Sequence, residues 1–362
     1  MPASTTLLHR LLTAGAALSL IAAIGVNASV ARAITAPTIT VIDINPEGDS
    51  YALDDDDYDS IAFNGGLLFK ADDGTHDEEL YKSDGTVAGT VLVKDINPSG
   101  SSNLDNLFVI GTTAYFQATD GTNGYELWKS DGTTAGTVMV KNINPSGSSY
   151  PDDLIVIGST LYFEANDGTN GYELWKSDGT EAGTVMVKNI HPSSDSYPSN
   201  FIAIGSTFYF EANDGTNGNE LWKSDGTEAG TVMVKDIRTG GSSSPEYLRR
   251  HGDLFYFFAN DGVNGYELHL SDGTEAGTMR IPAPTATDYV NCDCYDNPIR
   301  STAVGVFFTY YDGTVGHELG FVNDLLPETN TSGNGLALAL LALSGALAAG
   351  AVIARRKELR AN

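Results

Sequence analysis

Tyr172-Glu173-Leu174-Trp175-Lys176-Ser177-Asp178-Gly179-Thr180 decides the reading of the fold, because it recurs. Glu126–Thr133 and Glu220–Thr227 repeat its core as ELWKSDGT. Glu79–Thr86 reads ELYKSDGT, Glu267–Thr274 reads ELHLSDGT, and Glu318-Leu319-Gly320 is a worn sixth copy. The leading glutamates follow each other every 47 residues up to Glu267, and the last step is 51. A fixed period of this size marks a repeat architecture.

One repeat reads as four strands. Leu154–Ile157 is a short apolar run that turns at Gly158-Ser159. Thr160–Ala165 is rich in β-formers, and Asp167-Gly168-Thr169-Asn170-Gly171 carries both D-G and N-G turn signals. Tyr172–Lys176 forms a third strand and Asp178–Gly183 turns again. Thr184–Ile190 is a fourth strand, and Pro192 blocks its continuation. Four antiparallel strands in this length match one propeller blade.

The first three strands recur six times, near 60–83, 104–130, 154–177, 201–224, 247–271 and 299–321. The fourth follows only the first five, ending at Ile96, Ile143, Ile190 and Ile237, with a weak copy at Met279-Arg280-Ile281. Ile39–Ile44, followed by Asn45-Pro46, stands alone before the first unit with the same character. That permutation suits a ring closed by its own N-terminal strand, which removes exposed ends. The expected fold is therefore all-β: a six-bladed β-propeller of four-stranded blades over residues 34–323. An open β-solenoid is the alternative.

The ends differ in character. Residues 1–33 read as a signal peptide: His9-Arg10, an apolar stretch from Leu11 to Val26, then Ala31-Arg32-Ala33 as a small-residue cleavage site. Residues 336–354 are uncharged and long enough for a transmembrane helix, and Arg355, Arg356 and Lys357 open a basic cytoplasmic tail at 355–362. The linker 324–335 contains Leu326-Pro327-Glu328-Thr329-Asn330, which resembles the LPxTG sorting signal of sortase-anchored wall proteins, with Asn330 replacing its glycine. These features predict a protein on the outer face of the cell envelope, held by one membrane span or by the wall.

The net charge of -27 repels nucleic acid and anionic polymers and favours cations and cationic partners. Cys292 and Cys294 are the two cysteines, and an exported chain would join them in a small local disulfide.

Recurrence inside one chain favours structural roles. Trp128, Trp175 and Trp222, with Tyr81 and His269 in equivalent places, are expected to pack between neighbouring blades, the other reading being a sugar-stacking ring. The glutamates follow D-G-x-N-G loops, which groups Asp120, Asn123 and Glu126; Asp167, Asn170 and Glu173; Asp214, Asn217 and Glu220; and Asp261, Asn264 and Glu267. These are hard oxygen donors of the kind calcium collects, about six to eight at a time. The competing reading is a turn held by bonds to backbone amides. Asp54–Asp57 with Asp59 form a denser acidic loop in one blade only. Arg238, Arg249, Arg250, His251, Arg280, Arg300 and His317 are outside the repeat pattern, and no catalytic spacing links them.

On ELWKSDGT, the following A-G-T and the V-K-D-I or V-K-N-I strand, the chain resembles the ELWxxDGT-repeat proteins, also described as hyalin-like repeat proteins of bacterial surfaces, over residues 39–321. The resemblance implies secretion or surface display, and no catalytic activity. The expected function is a surface-anchored, non-enzymatic binding or adhesion module for an extracellular glycan or protein. The alternatives are a glycan-active hydrolase or lyase using a central channel, and a purely structural coat component.

Overall fold

The computed structural model describes residues 39–53, 60–282, 299–312 and 316–323. The chain divides into two compact units, 1–41 and 42–362, and every strand belongs to the second. The leader, the Asp54–Asp57 and Asp59 loop, Cys292, Cys294, the LPETN stretch, the apolar segment 336–354 and the basic tail lie outside the described residues. No helix among the described residues is long and apolar enough to cross a membrane.

Each repeat folds as an antiparallel meander. The first sheet is β1 (Ser60–Phe63), β2 (Gly66–Asp72), β3 (Glu78–Ser83) and β4 (Val91–Lys94). The second is β5 (Asp105–Ile110), β6 (Thr113–Thr119), β7 (Tyr125–Ser130) and β8 (Val138–Lys141). The third is β9 (Asp152–Ile157), β10 (Thr160–Asn166), β11 (Tyr172–Ser177) and β12 (Val185–Lys188). The fourth is β13 (Ser199–Ile204), β14 (Thr207–Asn213), β15 (Asn219–Ser224) and β16 (Val232–Lys235). The fifth is β17 (Glu246–His251), β18 (Leu254–Asn260), β19 (Tyr266–Ser271) and a two-residue β20 (Met279–Arg280). The sixth has β21 (Ile299–Thr302), β22 (Gly305–Asp312) and β23 (Gly316–Asn323). First strands neighbour one another in chain order: β1 beside β5, then β9, β13, β17 and β21. Successive four-stranded meanders joined through their first strands are consistent with β-propeller blades.

The core lies between sheets, because each strand alternates its faces. Leu68, Leu80, Val93 and Ile96 of the first sheet meet Phe116, Ala118 and Trp128 of the second. The same arrangement brings Leu127 and Val140 against Phe163 and Trp175, and Leu174 and Val187 against Phe210 and Trp222. The tryptophans therefore pack between neighbouring sheets, as their recurrence implied. His269 takes the equivalent place in the fifth sheet, stacked on Phe257 at 5.4 Å.

The sixth sheet departs from the expected four strands: it has three among the described residues, and residues 39–44 form no strand. Leu319 is consequently 74% exposed, although its counterparts Leu80, Leu127, Leu174 and Leu221 are fully buried. The link before the first sheet nevertheless has the repeat's own bonds. Asn45 donates to Asp49 O at 3.0 Å and Ser50 O accepts from Asp72 N at 2.9 Å. Asn97 and Ser102 make the same bonds, to Ser101 O at 2.8 Å and from Thr119 N at 2.9 Å.

Candidate functional site

The recurring residues turn out to be joinery. Glu173 Oε2 accepts from Ile190 N and from Ser196 Oγ, each at 2.7 Å, and Oε1 accepts from His191 N at 3.1 Å. Glu126 does the same with Ile143, Asn144 and Ser149, and Glu220 with Ile237, Arg238 and Ser243. Glu79 holds Ile96 N and Asn97 N. Each carboxylate thus fastens the end of its own fourth strand to the link that begins the next sheet. Burial raises the pKa of these groups against the opposing pull of those hydrogen bonds, to about 7 for Glu79. Glu267 has the same position without the bonds: its Oε2 has no hydrogen-bond partner, and burial places its pKa at about 7.

The Asp–Asn pairs close their own turns, and Asn123 and Asn170 also accept from Asn142 and Asn189 at 2.9 Å. Asp167 Oδ1 accepts from Thr169 N and Asn170 N, and Oδ2 accepts from Asn170 Nδ2 at 2.7 Å. Asp120 with Asn123, Asp214 with Asn217 and Asp261 with Asn264 repeat the arrangement. The pairs close their turns while the glutamates bind the strand ends. Among the described residues no group of three or more His, Cys, Asp or Glu side chains is placed to hold a metal ion.

The lysines of ELWKSDGT point forward. Lys129 Nζ donates to Gly179 O at 2.7 Å and Lys141 Nζ to Thr184 O at 2.8 Å, both in the third sheet's DGT turn. Lys82, Lys94, Lys176, Lys188, Lys223 and Lys235 do likewise across their own junctions. These bonds join each sheet to the next.

What differs between repeats gathers instead on the first strands and links of sheets two to four. Asp105, Asn106, Leu107 and Phe108 of β5, Asp152, Asp153, Leu154 and Ile155 of β9, and Phe201 of β13 line a cavity of about 540 Å³. The first strands β5, β9, β13 and β17 each bulge, and the bulged residue has positive φ: 56° at Asn106, 52° at Asp153, 57° at Asn200 and 56° at Tyr247. Asn and Asp tolerate this conformation better than other residues with a Cβ. In the third sheet Asp152 pairs directly across from Glu164, which sets like charges opposite each other. Burial, then Asp153 and Asp152, push the Glu164 carboxyl up to about 8; burial, then Asp152, hold Asp153 at about 6. Glu211, one repeat on, is relieved by Asn219 Nδ2 at 2.7 Å and Asn200 Nδ2 at 3.1 Å, yet burial keeps its pKa raised.

Two tyrosine pairs stand on the links of the same sheets. Tyr125 stacks on Tyr150 with ring centres 5.2 Å apart, and Tyr172 on Tyr197 at 5.5 Å. Tyr150 and Tyr197 are exposed. Asp195 accepts from Tyr172 N at 2.8 Å and from Tyr197 Oη at 3.1 Å, where Ser148 occupies the previous link and Ser242 the next. Burial raises the Tyr172 pKa and the Asp195 hydrogen bond raises that of Tyr197, with Glu164 a further cause at each.

Sequence reasoning missed Asp153, Glu164, Glu211 and the tyrosines. Their signal was present as failures of the repeat: Lys70, Gln117, Glu164, Glu211 and Phe258 share one position. Of the non-repeat basic residues named from sequence, Arg249, His251 and Arg300 lie where β17 meets β21, while Arg280 and Arg238 are engaged elsewhere. Arg249 and Arg300 are close enough that burial and then Arg300 lower the Arg249 pKa. His251 meets Ser301 at 2.9 Å, Arg280 pairs with Asp261 at 3.7 Å, and Arg238 bonds Ser242 O at 3.3 Å.

No family model matches this chain, and no curated protein matches it. Among solved structures it is similar to one from a study of two prolyl endopeptidases, at 13% identity and a TM-score of 0.44, covering 72% of this chain and 40% of that one. It is also similar to a puromycin hydrolase, at 14% identity and a TM-score of 0.41, covering 70% of this chain and 42% of that one. The chain thus spans about two fifths of the proteins it matches.

Proposed function

We propose that this chain is a non-enzymatic binding module displayed outside the cell, which takes its ligand at the first strands and links of sheets two to four. The observation that carries this reading is where the repeat fails. Positions devoted to joining sheets are nearly invariant from copy to copy, while the first strands and links vary: Asp153 lines the cavity where other copies carry Asn106, Asn200 or Tyr247, and Asp195 replaces the serine of the other links. A scaffold that repeats itself is free to vary only where packing does not decide, and exposed loops on a rigid frame are where contacts are usually made.

Display would follow from the leader at 1–33 and the anchor at 336–354, with or without processing at the LPETN stretch. The frame would be a propeller closed by the N-terminal segment. Ile44 and Asn45 correspond to Ile96 and Asn97, whose amides Glu79 holds, and Glu318 is the matching glutamate of the sixth copy.

Glycan and peptide arrays probed with the full chain test the reading. Saturable binding without product is the expected outcome, and absence of any binding sinks it in favour of a coat component. One observation favours a second reading: Glu164, protonated near neutral pH opposite Asp152, forms an acid–base pair of the kind glycan hydrolases use. Release of shortened glycan by the wild type, lost in Glu164→Gln, would establish that reading instead.

A further inference from the structure

We propose that the ligand of this module is a neutral carbohydrate chain, laid across Tyr150 and Tyr197 so that successive sugar rings stack on platforms one repeat apart. The proposal rests on the binding-module reading and assigns its ligand class.

Both tyrosines have a backbone that suits them poorly. Tyr150 has φ of 46° and Tyr197 of 47°. A bulky side chain in that region is a strained choice. The other links show what the backbone itself requires. Asn103 has φ of 44° and Ser244 of 45° at the equivalent positions, whereas the N-terminal link repeats the exposed tyrosine at Tyr51, with φ of 51°. Asparagine and serine suffice to build the link, so its geometry does not call for an aromatic ring.

Burial does not call for one either. Tyr197 is 51% exposed and Tyr150 43% exposed, so both leave much of their apolar surface in water. Each is stiffened instead. Tyr125 and Tyr172 stack on them with interplanar angles of 23° and 22°. Asp195 also fixes the hydroxyl of Tyr197. A ring that is strained, exposed and held in one orientation presents a preorganised flat surface, and preorganisation reduces the entropy lost on binding.

The chemistry around these rings selects the partner. A tyrosine face packs against apolar C–H surface while polar neighbours bond what surrounds it. Asp195 and the carboxyls of Asp152, Asp153 and Glu164 supply acceptors for hydroxyl groups. A net charge of -27 turns away sulfated or uronic polymers. A neutral sugar, with an apolar ring face and a rim of hydroxyls, meets these conditions.

The chain's own repeats supply the test. Tyr150→Asn and Tyr197→Ser install the residues found at Asn103 and Ser244, so the link should fold unchanged, which equal melting temperatures would confirm. Titration of the full chain by calorimetry with neutral glucan and chitin oligomers, dimer to hexamer, should show affinity rising until both platforms are spanned. Each substitution should weaken binding of the longer oligomers about tenfold, the equivalent of about 1.4 kcal/mol, and the double variant should abolish it. Oligomers that bind both variants as they bind the wild type overturn the carbohydrate assignment to these rings. So does a chain that binds only peptides or anionic glycans, although the module reading then survives. A chain that binds nothing overturns both.

Discussion

Glu220 and Glu267 stand one repeat apart in the same sequence context, and among the described residues the first clamps a strand end while Oε2 of the second has no hydrogen-bond partner. Glu220 accepts from the amides of Ile237, Arg238 and Ser243 and from the Ser243 hydroxyl. Beside Glu267, Ile281 N donates to Leu268 O at 2.7 Å as part of the strand pairing, and the positions one repeat on from Ile237, Arg238 and Ser243 fall in 283–298, outside the described residues. The difference teaches what the repeat is for. Its glutamate, tryptophan and lysines serve the junction with the following sheet, and they lapse where that sheet lacks the matching turn. Glu220→Ala should break the comparison most severely. It strands several buried donors, each costing about 1–3 kcal/mol, and removes packing besides, so a loss of about 4 kcal/mol is expected in urea denaturation. Glu267→Ala should cost less than about 1 kcal/mol, since it removes a buried oxygen without a partner. Equal losses at the two positions would show that the clamp is not what distinguishes them.

The same comparison has a pH dependence. Glu79 and Glu267 have pKa values raised to about 7, and Glu164 to about 8, each chiefly by burial. A raised carboxyl pKa means that the folded protein binds protons the unfolded chain has already released. The stability these groups contribute is full below the ordinary glutamate value of about 4.5 and is lost as pH rises through 7 to 8. Melting temperature should therefore rise as pH is lowered from about 8 to about 5. Glu267→Gln, which fixes the neutral form without removing the hydrogen bonds of a clamp, should flatten part of that slope. A profile that falls over this range, or an unaltered slope in the variant, would contradict the assignment.

A smaller effect separates the lysines. Lys223→Met removes the bond to Gly273 O and should cost about 1.5 kcal/mol, the low end for one hydrogen bond from a charged donor. Leu270 occupies the lysine position of the fifth copy, where the sixth sheet offers no DGT turn. Leu270→Lys should therefore give no stabilisation. A gain there equal to the Lys223 loss would mean that an acceptor exists beyond the fifth sheet.

The sheets were legible in the sequence because their cause is local and repeated. The period placed Glu173, the D-G and N-G signals placed the turns, and β-formers marked Thr160–Ala165. The interleaving of Trp175 with the preceding sheet followed from its recurrence. The candidate site was harder to see for the same reason. Attention to what recurs discounts Glu164 against Gln117, or Tyr150 against Asn103, as mere variation. Positive φ at Asp153 and the direct opposition of Asp152 to Glu164 depend on a bulge, and the bulge shifts the pairing register after the point where alternation alone would set it. The forward reach of Lys129 to Gly179 is also invisible in one dimension, because it spans 50 residues.

Calcium offers the smallest expected effect and the clearest limit on the motif. The twelve oxygen-bearing residues of the D-G-x-N-G loops and their glutamates occur at the spacing of a repeated site, yet they serve two separate tasks. The Asp oxygens close their own turns on the Asn amides and side chains, and the glutamate oxygens of the first four copies hold strand ends. A calcium ion would have to displace those bonds before gaining its own, and hard cations gain most where several carboxylates are already convergent. Thermal unfolding in excess chelator and then in millimolar calcium should give the same melting temperature. A rise with calcium but not with magnesium would show that the loops reorganise around an ion. Glu267, whose oxygen lacks the bonds its counterparts make, would then be the residue to substitute first.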